Sequence, residues 1–367
     1  MNVAAPDREI QGTATADPFA RWARHHVAAG LASGLLLWTA FPPVEWSGLA
    51  WVALAPLFWL VTVRGAPFKT YLAAWIGGLV FWTLAVQWLS LIGPGAWIGW
   101  VVLALVFSLW WPLFLALTRW AYFRLRLPLI LAAPIVWVAV EYLRAYFLTG
   151  FPWYYVAHSQ FRFLYVIQIA DITGSLGVSL VIAIVNAWLV DLVTLPLLQV
   201  TRRRTRLTQP QTARLWMVTL LVGATLCYGA FRLSTARFRN GPRLALLQSN
   251  LEQSHKFRME PADIQKRFLH LIEVAMRRPE RPDLIVWPET AYPFGFITIN
   301  PAIDATTLER QVGSIAPTLT VNFWRDKQKD ILQDLHSLVD AVQVPMLVGS
   351  AVYDHQPAKL NKYNSAL

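Results

Sequence analysis

Seven apolar stretches occupy the first two thirds of the chain and decide what it can fold into. Each approaches the roughly 20 residues that a helix needs to cross a bilayer. The predicted spans are 26–42, 48–63, 71–92, 97–119, 129–148, 175–198 and 214–232. The composition agrees, because 56% of the residues are hydrophobic and 14% are charged, unlike an ordinary soluble protein. We therefore predict a multispan α-helical membrane bundle over residues 26–232.

The loops between these stretches alternate in charge. One set holds nearly all the basic residues: Arg21, Arg24, Arg64, Lys69, Arg119, Arg124, Arg126, Arg202, Arg203, Arg204 and Arg206. The other set, around 42–47, 91–97 and 149–172, holds Arg162 alone. Because cytoplasmic loops are enriched in Lys and Arg, we expect residues 1–25 to be cytoplasmic and the chain after the seventh span to lie outside. The net charge of +11 follows from this pattern and does not indicate nucleic-acid binding.

From Pro242 onward, strands alternate with amphipathic helices. The predicted strands are 243–250, 283–288 and 345–353, and the predicted helices are 261–278 and 325–343. The last helix repeats apolar residues at helical spacing: Ile331, Leu332, Leu335, Leu338 and Val339. This alternation predicts an extracytoplasmic α/β domain over 242–367. The final residues, "KYNSAL", read as the start of another strand, so we expect this domain to be incomplete.

The stretch "PDLIVWPETAYPF", residues 282–294, places a carboxylate directly after an apolar strand. Pro288 restricts the backbone just before Glu289, and the flanking residues are apolar or aromatic. A carboxylate in such surroundings suits a general base that works near neutral pH. The alternative is an ordinary surface glutamate, and the residues alone leave both interpretations open.

Two motifs carry a resemblance to known families. "LIVWPETAYPF" resembles the glutamate motif of the nitrilase (carbon–nitrogen hydrolase) superfamily, and "WVAVEYLRAYFLTGFPWYYVAHSQ" (137–160) resembles a helix-and-loop signature of the apolipoprotein N-acyltransferase family. The resemblance implies a bacterial inner-membrane protein with a periplasmic nitrilase-like αββα domain after its seventh helix. It implies transfer of a fatty acyl chain from a phospholipid, through a cysteine thioester, to the N-terminal diacylglyceryl-cysteine of apolipoproteins. No metal or dissociable cofactor is implied, and the expected state is a monomer.

The resemblance assigns the general base to Glu289, whereas the family's nucleophilic cysteine and oxyanion-binding lysine have no match here. Cys227, the one cysteine, lies in the seventh apolar run, where we expect a buried, inert packing residue. Lys359 and Lys362 stand ahead of the last strand and are interpreted as solvated loop charges. We therefore expect a C-terminally truncated chain without turnover. The stretch 295–324 has no interpretation.

Glu141 and Arg144 lie three residues apart on a predicted membrane helix, so they share a face and could neutralise each other. Ionisable groups inside a membrane are costly and often functional, yet a structural clamp explains this pair as well. The aromatic loop 149–161, which includes His158, fits either a lipid entrance or an interfacial belt. The histidines show no metal-ligand spacing, so we expect no metal site.

Three other classes of protein remain as alternatives. A non-catalytic membrane remnant would bind a lipid or a partner through a degenerate nitrilase-like domain. An amidase or nitrilase acting on soluble substrates would use Glu289 but leave seven membrane spans unexplained. A multispan transporter would use the spans but leave the glutamate motif and the α/β domain without a role.

Overall fold

The computed structural model describes residues 26–65, 67–147, 150–194, 198–201, 204–207, 209–251, 258–315 and 320–367. The chain divides into two compact units, Met1–Arg237 and Phe238–Leu367. We call them the membrane unit and the α/β unit and describe each by itself. The predicted cytoplasmic segment 1–25, with Arg21 and Arg24, lies outside the described residues, as do Arg202 and Arg203.

The membrane unit is built from apolar helices that follow the predicted spans. Among the described residues, five helical stretches are long and apolar enough to cross a membrane: Pro67–Ala85, Ala96–Phe123, Leu129–Tyr146, Ala170–Thr194 and Gln211–Thr235. Two shorter apolar stretches, His26–Thr39 and Ser47–Thr62, correspond to the first two predicted spans. These helices confirm the predicted membrane bundle, while the first two stretches are shorter in the described residues than a full crossing requires.

The helices of this unit are numbered in chain order. They are α1 His26–Thr39, α2 Ala50–Ala53, α3 Ala55–Thr62, α4 Pro67–Ala85, α5 Ala96–Ser108, α6 Trp110–Phe123, α7 Leu129–Tyr146, α8 Leu164–Ile167, α9 Ala170–Thr194 and α10 Gln209–Thr235. Between α9 and α10 the structure has a hairpin where the sequence predicted a loop. Its strands, β1 Leu198–Thr201 and β2 Arg204–Leu207, pair antiparallel, so Arg204 and Arg206 lie in a strand.

Helices α1 and α4 pack through small residues that let their backbones touch. A Cβ added to Gly30 would lie 2.0 Å from the carbonyl oxygen of Ala73, and one added to Gly34 would lie 2.4 Å from that of Gly77. Lipid tails are as apolar as the helices, so close van der Waals packing of this kind drives helix association in a membrane. The contact holds α1 against α4.

The second predicted span is a broken helix, and one polar side chain repairs the break. Between α2 and α3 the side-chain Oδ1 of Asn186 accepts hydrogen bonds from the amides of Leu54 and Ala55, both at 2.9 Å. Its Nδ2 donates to the carbonyls of Ala50 (3.0 Å) and Ile182 (2.9 Å). Asn186 is fully buried. Irregular backbone at membrane depth is tolerated where protein groups satisfy it, and this asparagine does so.

Arg119 on α6 ties together two of the predicted basic loops. Its Nη1 donates to the carbonyls of Leu60 (3.1 Å), Val61 (3.1 Å) and Val63 (2.7 Å), at the end of α3. A cation at a helix C-terminus is favourable because the last carbonyls lack intrahelical partners. The end of α3 and the end of α6 therefore lie at the same side of the bundle.

The α/β unit alternates strands and helices, as the sequence predicted. Its elements are β3 Leu244–Leu246, α11 Pro261–Met276, β4 Leu284–Val286, β5 Tyr292–Ile299, α12 Ala305–Ile315, α13 Val321–Val342, β6 Met346–Leu347, β7 Gly349–His355 and β8 Leu360–Ala366. The stretch 295–324, for which the sequence gave no interpretation, contains the end of β5, all of α12 and the start of α13. Residues 316–319 lie outside the described residues.

The described strands of this unit form two three-stranded sheets, in the orders β3-β4-β6 and β5-β7-β8. The first sheet is parallel, whereas in the second β5 is parallel and β8 antiparallel to β7. Two hydrogen bonds continue these pairings beyond the strand ends: Trp287 N donates to Leu347 O at 2.8 Å, next to the β4–β6 pair, and Ala291 N donates to Gly349 O at 2.9 Å, next to the β5–β7 pair. The path from β4 to β5 therefore runs beside the path from β6 to β7, with one interruption at 288–290.

The core of this unit holds the end of β4 in place. Ile285 is fully buried, and the indole of Trp287 stacks on the ring of Phe268 from α11, with ring centroids 4.5 Å apart. Helix α13 contributes Ile331, which is 2% exposed, while Val339 at the far end of the same predicted stripe is 36% exposed. Of the other predicted positions, Leu335 and Leu338 are half-buried and pack against the core, so the apolar periodicity identifies the buried face of α13 only in part.

Candidate active site

Glu289 lies in the interruption between β4 and β5. Trp287 on one side and Ala291 on the other keep the parallel pairing, and the chain bulges out between them. Thr290 has a φ of 46°, a value that L-residues adopt rarely. The strand pairing stops after Trp287 and resumes at Ala291. The bulge between them places the side chain of Glu289 at the surface, next to the buried strand β4.

The side chain of Glu289 is exposed, although its neighbours are not. Trp287, Ala291 and Tyr292 are buried, at 3%, 2% and 3% exposed. Glu289, between them, is exposed. The sequence predicted apolar surroundings for the Glu289 carboxylate. This prediction is wrong, because the carboxylate is exposed. The reason is the bulge at 288–290. Trp287 and Ala291, on either side of the bulge, point into the core, whereas the side chain of Glu289 points outward.

Asn364 orients the carboxylate. This residue lies on β8, opposite Ala351 of β7 in the antiparallel register. Its Nδ2 donates a hydrogen bond to Glu289 Oε1. A cleft of about 470 Å³ begins beside it, at Thr290, and continues past Tyr292 to Tyr353. A carboxylate that is accessible and fixed by an amide can accept a proton from a group that arrives from solvent.

The two lysines near the end of the described chain occupy different places. Lys359 is exposed and precedes β8, as predicted, but Lys362 lies inside β8 rather than ahead of it. Its Nζ lies 5.5 Å from the ring centroid of Tyr353, its partner in the strand register. Lys362 and Asn364 are two residues apart on one strand, so their side chains project to the same face.

Cys227 is not the buried packing residue that the sequence predicted. It lies on α10 and its side chain is exposed. Only 17% of the apolar 18-residue stretch of this helix is buried inside the protein, so most of its apolar side chains face outward. The structure places Cys227 in the membrane unit and Glu289 in the α/β unit.

Glu141 and Arg144 are both buried, 3% and 4% exposed, at the end of α7. Glu141 Oε1 accepts hydrogen bonds from Trp137 Nε1 at 3.0 Å and from the amide of Val156 at 2.8 Å. Arg144 Nη1 donates to the carbonyl of Trp153 at 2.6 Å. The expected mutual ion pair is not formed within 4.0 Å; each charge binds the loop that follows α7. We call these contacts the loop clamp.

Aromatic rings complete the loop clamp. The Arg144 guanidinium lies 4.8 Å from the ring centroid of Trp82 and 5.3 Å from that of Tyr155. The hydroxyl of Tyr154 donates to the carbonyl of Ala85 at 2.5 Å, which ties the loop to the end of α4. His158, singled out from the sequence, is exposed and its ring centroid lies 4.9 Å from that of Tyr155. Among the described residues, His158 therefore makes no hydrogen bond to Glu141 or Arg144.

Comparison with known proteins supports the motif resemblance. Residues 33–188 match the family described as the apolipoprotein N-acyltransferase N-terminal domain. Similar proteins named apolipoprotein N-acyltransferase include those of Geobacter metallireducens, 34% identical over 72% of this chain and 51% of the relative, and of Rhodopirellula baltica, 28% identical over 88% of this chain and 58% of the relative. That of Chlorobaculum tepidum is 31% identical over 72% of this chain and 49% of the relative.

The chain spans about half the length of these curated relatives. The family match falls within the membrane unit and includes the helix with Glu141 and Arg144 and the loop that they bind. The match to the Rhodopirellula protein covers enough of the chain to include part of the α/β unit as well. The chain belongs to the apolipoprotein N-acyltransferase family.

Proposed function

We propose that the protein transfers a fatty acyl chain from a phospholipid to the N-terminal diacylglyceryl-cysteine of apolipoproteins. The observation that carries this proposal is Glu289, a carboxylate that follows a buried strand, reaches the surface and is oriented by Asn364. The membrane bundle and the names of the relatives support it. Residues 242–367 are proposed to be part of a nitrilase-like catalytic domain.

The proposed chemistry proceeds in two half-reactions, with Glu289 as the general base in both. In the first, the base takes the proton of a cysteine thiol, the thiolate attacks the ester carbonyl of the phospholipid, and the lysophospholipid alcohol leaves with the proton. In the second, the base takes a proton from the acceptor's α-amino group, which attacks the thioester and releases the thiolate. A lysine near the carbonyl oxygen would stabilise both tetrahedral intermediates.

Neither the nucleophilic thiol nor the oxyanion lysine is matched by a residue of this chain. Cys227 lies exposed on a membrane helix, and Lys359 and Lys362 belong to the turn and strand of β8. The proposed location is the bacterial inner membrane, with residues 1–25 in the cytoplasm, the α/β unit in the periplasm and the protein a monomer.

The proposal is tested by substitution of the base. The protein is produced from its gene in membranes and assayed with a phospholipid labelled in its acyl chain and a diacylglyceryl-cysteine peptide. Loss of a general base lowers rates by about 10²–10⁴-fold, so Glu289→Gln should abolish measurable transfer. Glu309→Gln, at an exposed glutamate on α12, serves as the matched control and should retain the activity of the parent.

Two results would decide against the proposal. If Glu289→Gln transferred acyl chains as fast as Glu309→Gln, the carboxylate would not be the base. If the unsubstituted protein bound phospholipid but transferred no acyl chain, a binding role for the α/β unit would replace the enzymatic one.

A further inference from the structure

The bulge at 288–290, which carries Glu289, is held at both ends by side chains of the α/β unit. Before the bulge, the indole of Trp287 stacks on the ring of Phe268 from α11, with ring centroids 4.5 Å apart and ring planes inclined by 16°. After the bulge, Tyr292 begins β5, and its side chain is 3% exposed. The hydroxyl of Tyr292 makes a contact that the proposed chemistry does not use.

A carboxylate bridge, formed by Tyr292, Asp334 and Gln265, joins β5 to α13 and α11. Asp334 Oδ2 accepts a hydrogen bond from the hydroxyl of Tyr292 at 2.9 Å and another from Gln265 Nε2 at 2.8 Å. Gln265 and Phe268 lie three residues apart on α11 and therefore share a face of that helix. Both ends of the bulge thus rest on the same face of α11.

The bridge holds Tyr292 through a hydrogen bond of fixed direction. Burial raises the pKa of Tyr292 far above its usual 10, and the Asp334 carboxylate raises it further, so the hydroxyl keeps its proton and acts as the donor. Hydrogen bonds to an ionised acceptor are stronger than neutral ones. Tyr292 lines the cleft beside Glu289, whereas Asp334 is half-buried and does not line it. An effect of Asp334 on the cleft therefore passes through Tyr292.

We propose that Asp334 is a positioning residue for Glu289 and acts through the hydrogen bond from Tyr292. Tyr292 follows Glu289 by three residues, so a shift of its backbone is passed along this short segment to the carboxylate. This role rests on the proposed function of Glu289 as the general base. Loss of the bridge leaves the ring of Tyr292 in the wall of the cleft, so the chemical step should slow while substrate binding changes little.

The kinetics of acyl transfer test this role. Asp334→Leu removes both acceptor oxygens and should lower kcat by about tenfold to 10²-fold, because misplacing a catalytic group by about 1 Å has effects of that size. KM for the peptide acceptor should stay near the parent value. Asp334→Asn keeps one oxygen that can accept from Tyr292 and should recover most of the parent kcat. A merely structural role would reduce the amount of folded protein but leave kcat per folded molecule unchanged.

Tyr292→Phe tests the same hydrogen bond while keeping the buried ring. Its kcat should fall as in Asp334→Leu, and the double variant should be no slower than the slower single one, because residues that act through one bond are not additive. Losses that multiply in the double variant would overturn the proposal. Asp330→Leu is the matched control and should keep the parent kcat, because Asp330 is exposed one turn earlier on α13.

Hydrogen exchange tests the bridge without turnover. The amide of Ala291 donates to Gly349 O at 2.9 Å and closes the bulge. In Asp334→Leu and Tyr292→Phe this amide should exchange about tenfold faster or more, because the lost bond to a charged group no longer opposes local opening. The amide of Trp287, on the other side of the bulge, should keep its parent rate. Unchanged exchange at Ala291 would show that the bridge does not hold the bulge and would overturn the proposal.

The positioning role and the proposed base can fail separately. If Glu289→Gln abolished transfer while Asp334→Leu kept the parent kcat, Glu289 would remain the base and the positioning role would be rejected. If Glu289→Gln transferred acyl chains as fast as the parent, the base itself would be rejected. The positioning role would then be rejected with it, even if Ala291 exchanged faster in Asp334→Leu.

Discussion

Gly349 packs directly against the backbone of Pro288. A Cβ at Gly349 would lie 2.1 Å from the carbonyl oxygen of Pro288 and 3.0 Å from the Cα of Glu289. The first residue of β7 is therefore small because the chain segment that presents the candidate base runs across it. This contact, together with the hydrogen bond from Asn364, fixes both the backbone and the carboxylate of Glu289.

Gly349→Ala should displace the segment 288–289. Inserting a methyl group where backbone atoms already touch costs about 1–3 kcal/mol, so we expect a lower melting temperature and, in the acyl-transfer assay, a lower rate. Gly313→Ala is the control, because a Cβ at that position on α12 meets nothing within 4 Å. Alanine favours a helix over glycine by about 1 kcal/mol, so Gly313→Ala should be neutral or stabilising. Equal stability of the two variants would show that the strand gives way at Gly349.

Glu141→Leu should release the loop that follows α7. The amide of Val156 donates to Glu141 Oε1, and leaving a buried amide unpaired costs about 1–3 kcal/mol. Hydrogen exchange at Val156 should therefore speed up by about tenfold or more, since 1.4 kcal/mol corresponds to a factor of ten. Glu141→Gln keeps a carbonyl oxygen for the same amide and should exchange like the parent. Fast exchange in both variants would mean that the negative charge, rather than the acceptor oxygen, holds the loop.

Asn186→Ala should destabilise the membrane unit more than the loss of an ordinary helix hydroxyl does. The substitution leaves the amides of Leu54 and Ala55 without their acceptor at the break between α2 and α3. Each buried, unpaired amide costs about 1–3 kcal/mol. Thr194→Val, which removes a bond from a threonine to the carbonyl of Val190 in its own helix, is the comparison. We expect a clear drop in the melting temperature in detergent for Asn186→Ala alone. A drop of the same size in both variants would show that satisfying the helix break contributes no more stability than an ordinary helix hydroxyl does.

The spans and the strand-helix alternation could be predicted because each rests on a local pattern. Apolar length identifies a membrane helix, and the run before Glu289 identifies a core strand. Asn186 shows where this approach ends. In the sequence it is one polar residue inside a span. Its side chain accepts a hydrogen bond from the amide of Leu54, 132 residues away in the chain. No local periodicity contains that contact.

The errors at Cys227 and Glu289 have two different physical causes. In a bilayer, both the protein-facing and the lipid-facing sides of a helix are apolar, so composition cannot tell which side Cys227 occupies. At Glu289, the neighbours in the sequence are buried but the turn at 288–290 reverses the direction of the side chain. The clamp residues Glu141 and Arg144 were identified by charge alone. Their partners were not, because backbone groups of a loop leave no signal in the sequence.

His355 should make the α/β unit less stable in acid. The side chain is fully buried, its Nδ1 lies 3.0 Å from Gln311 Oε1, and its ring packs 5.6 Å from that of Trp324. Burial lowers the pKa of His355 below its usual 6.5, and the neighbouring Asp354 opposes this only in part. The folded state therefore holds the neutral ring, while the unfolded chain takes up a proton below about pH 6.5. Stability from this group is present above that pH and is lost as the pH falls.

The measurement is the melting temperature from about pH 8 down to about pH 5.5, where the extra proton bound by the unfolded chain favours unfolding. The parent should lose stability across this range, and His355→Gln, which does not titrate there, should show a shallower slope. His270→Gln is the control, because the side chain of His270 is 69% exposed on α11. It should keep the slope of the parent. If His355→Gln kept that slope too, the acid sensitivity would belong to other groups, with the carboxylates the next to be substituted.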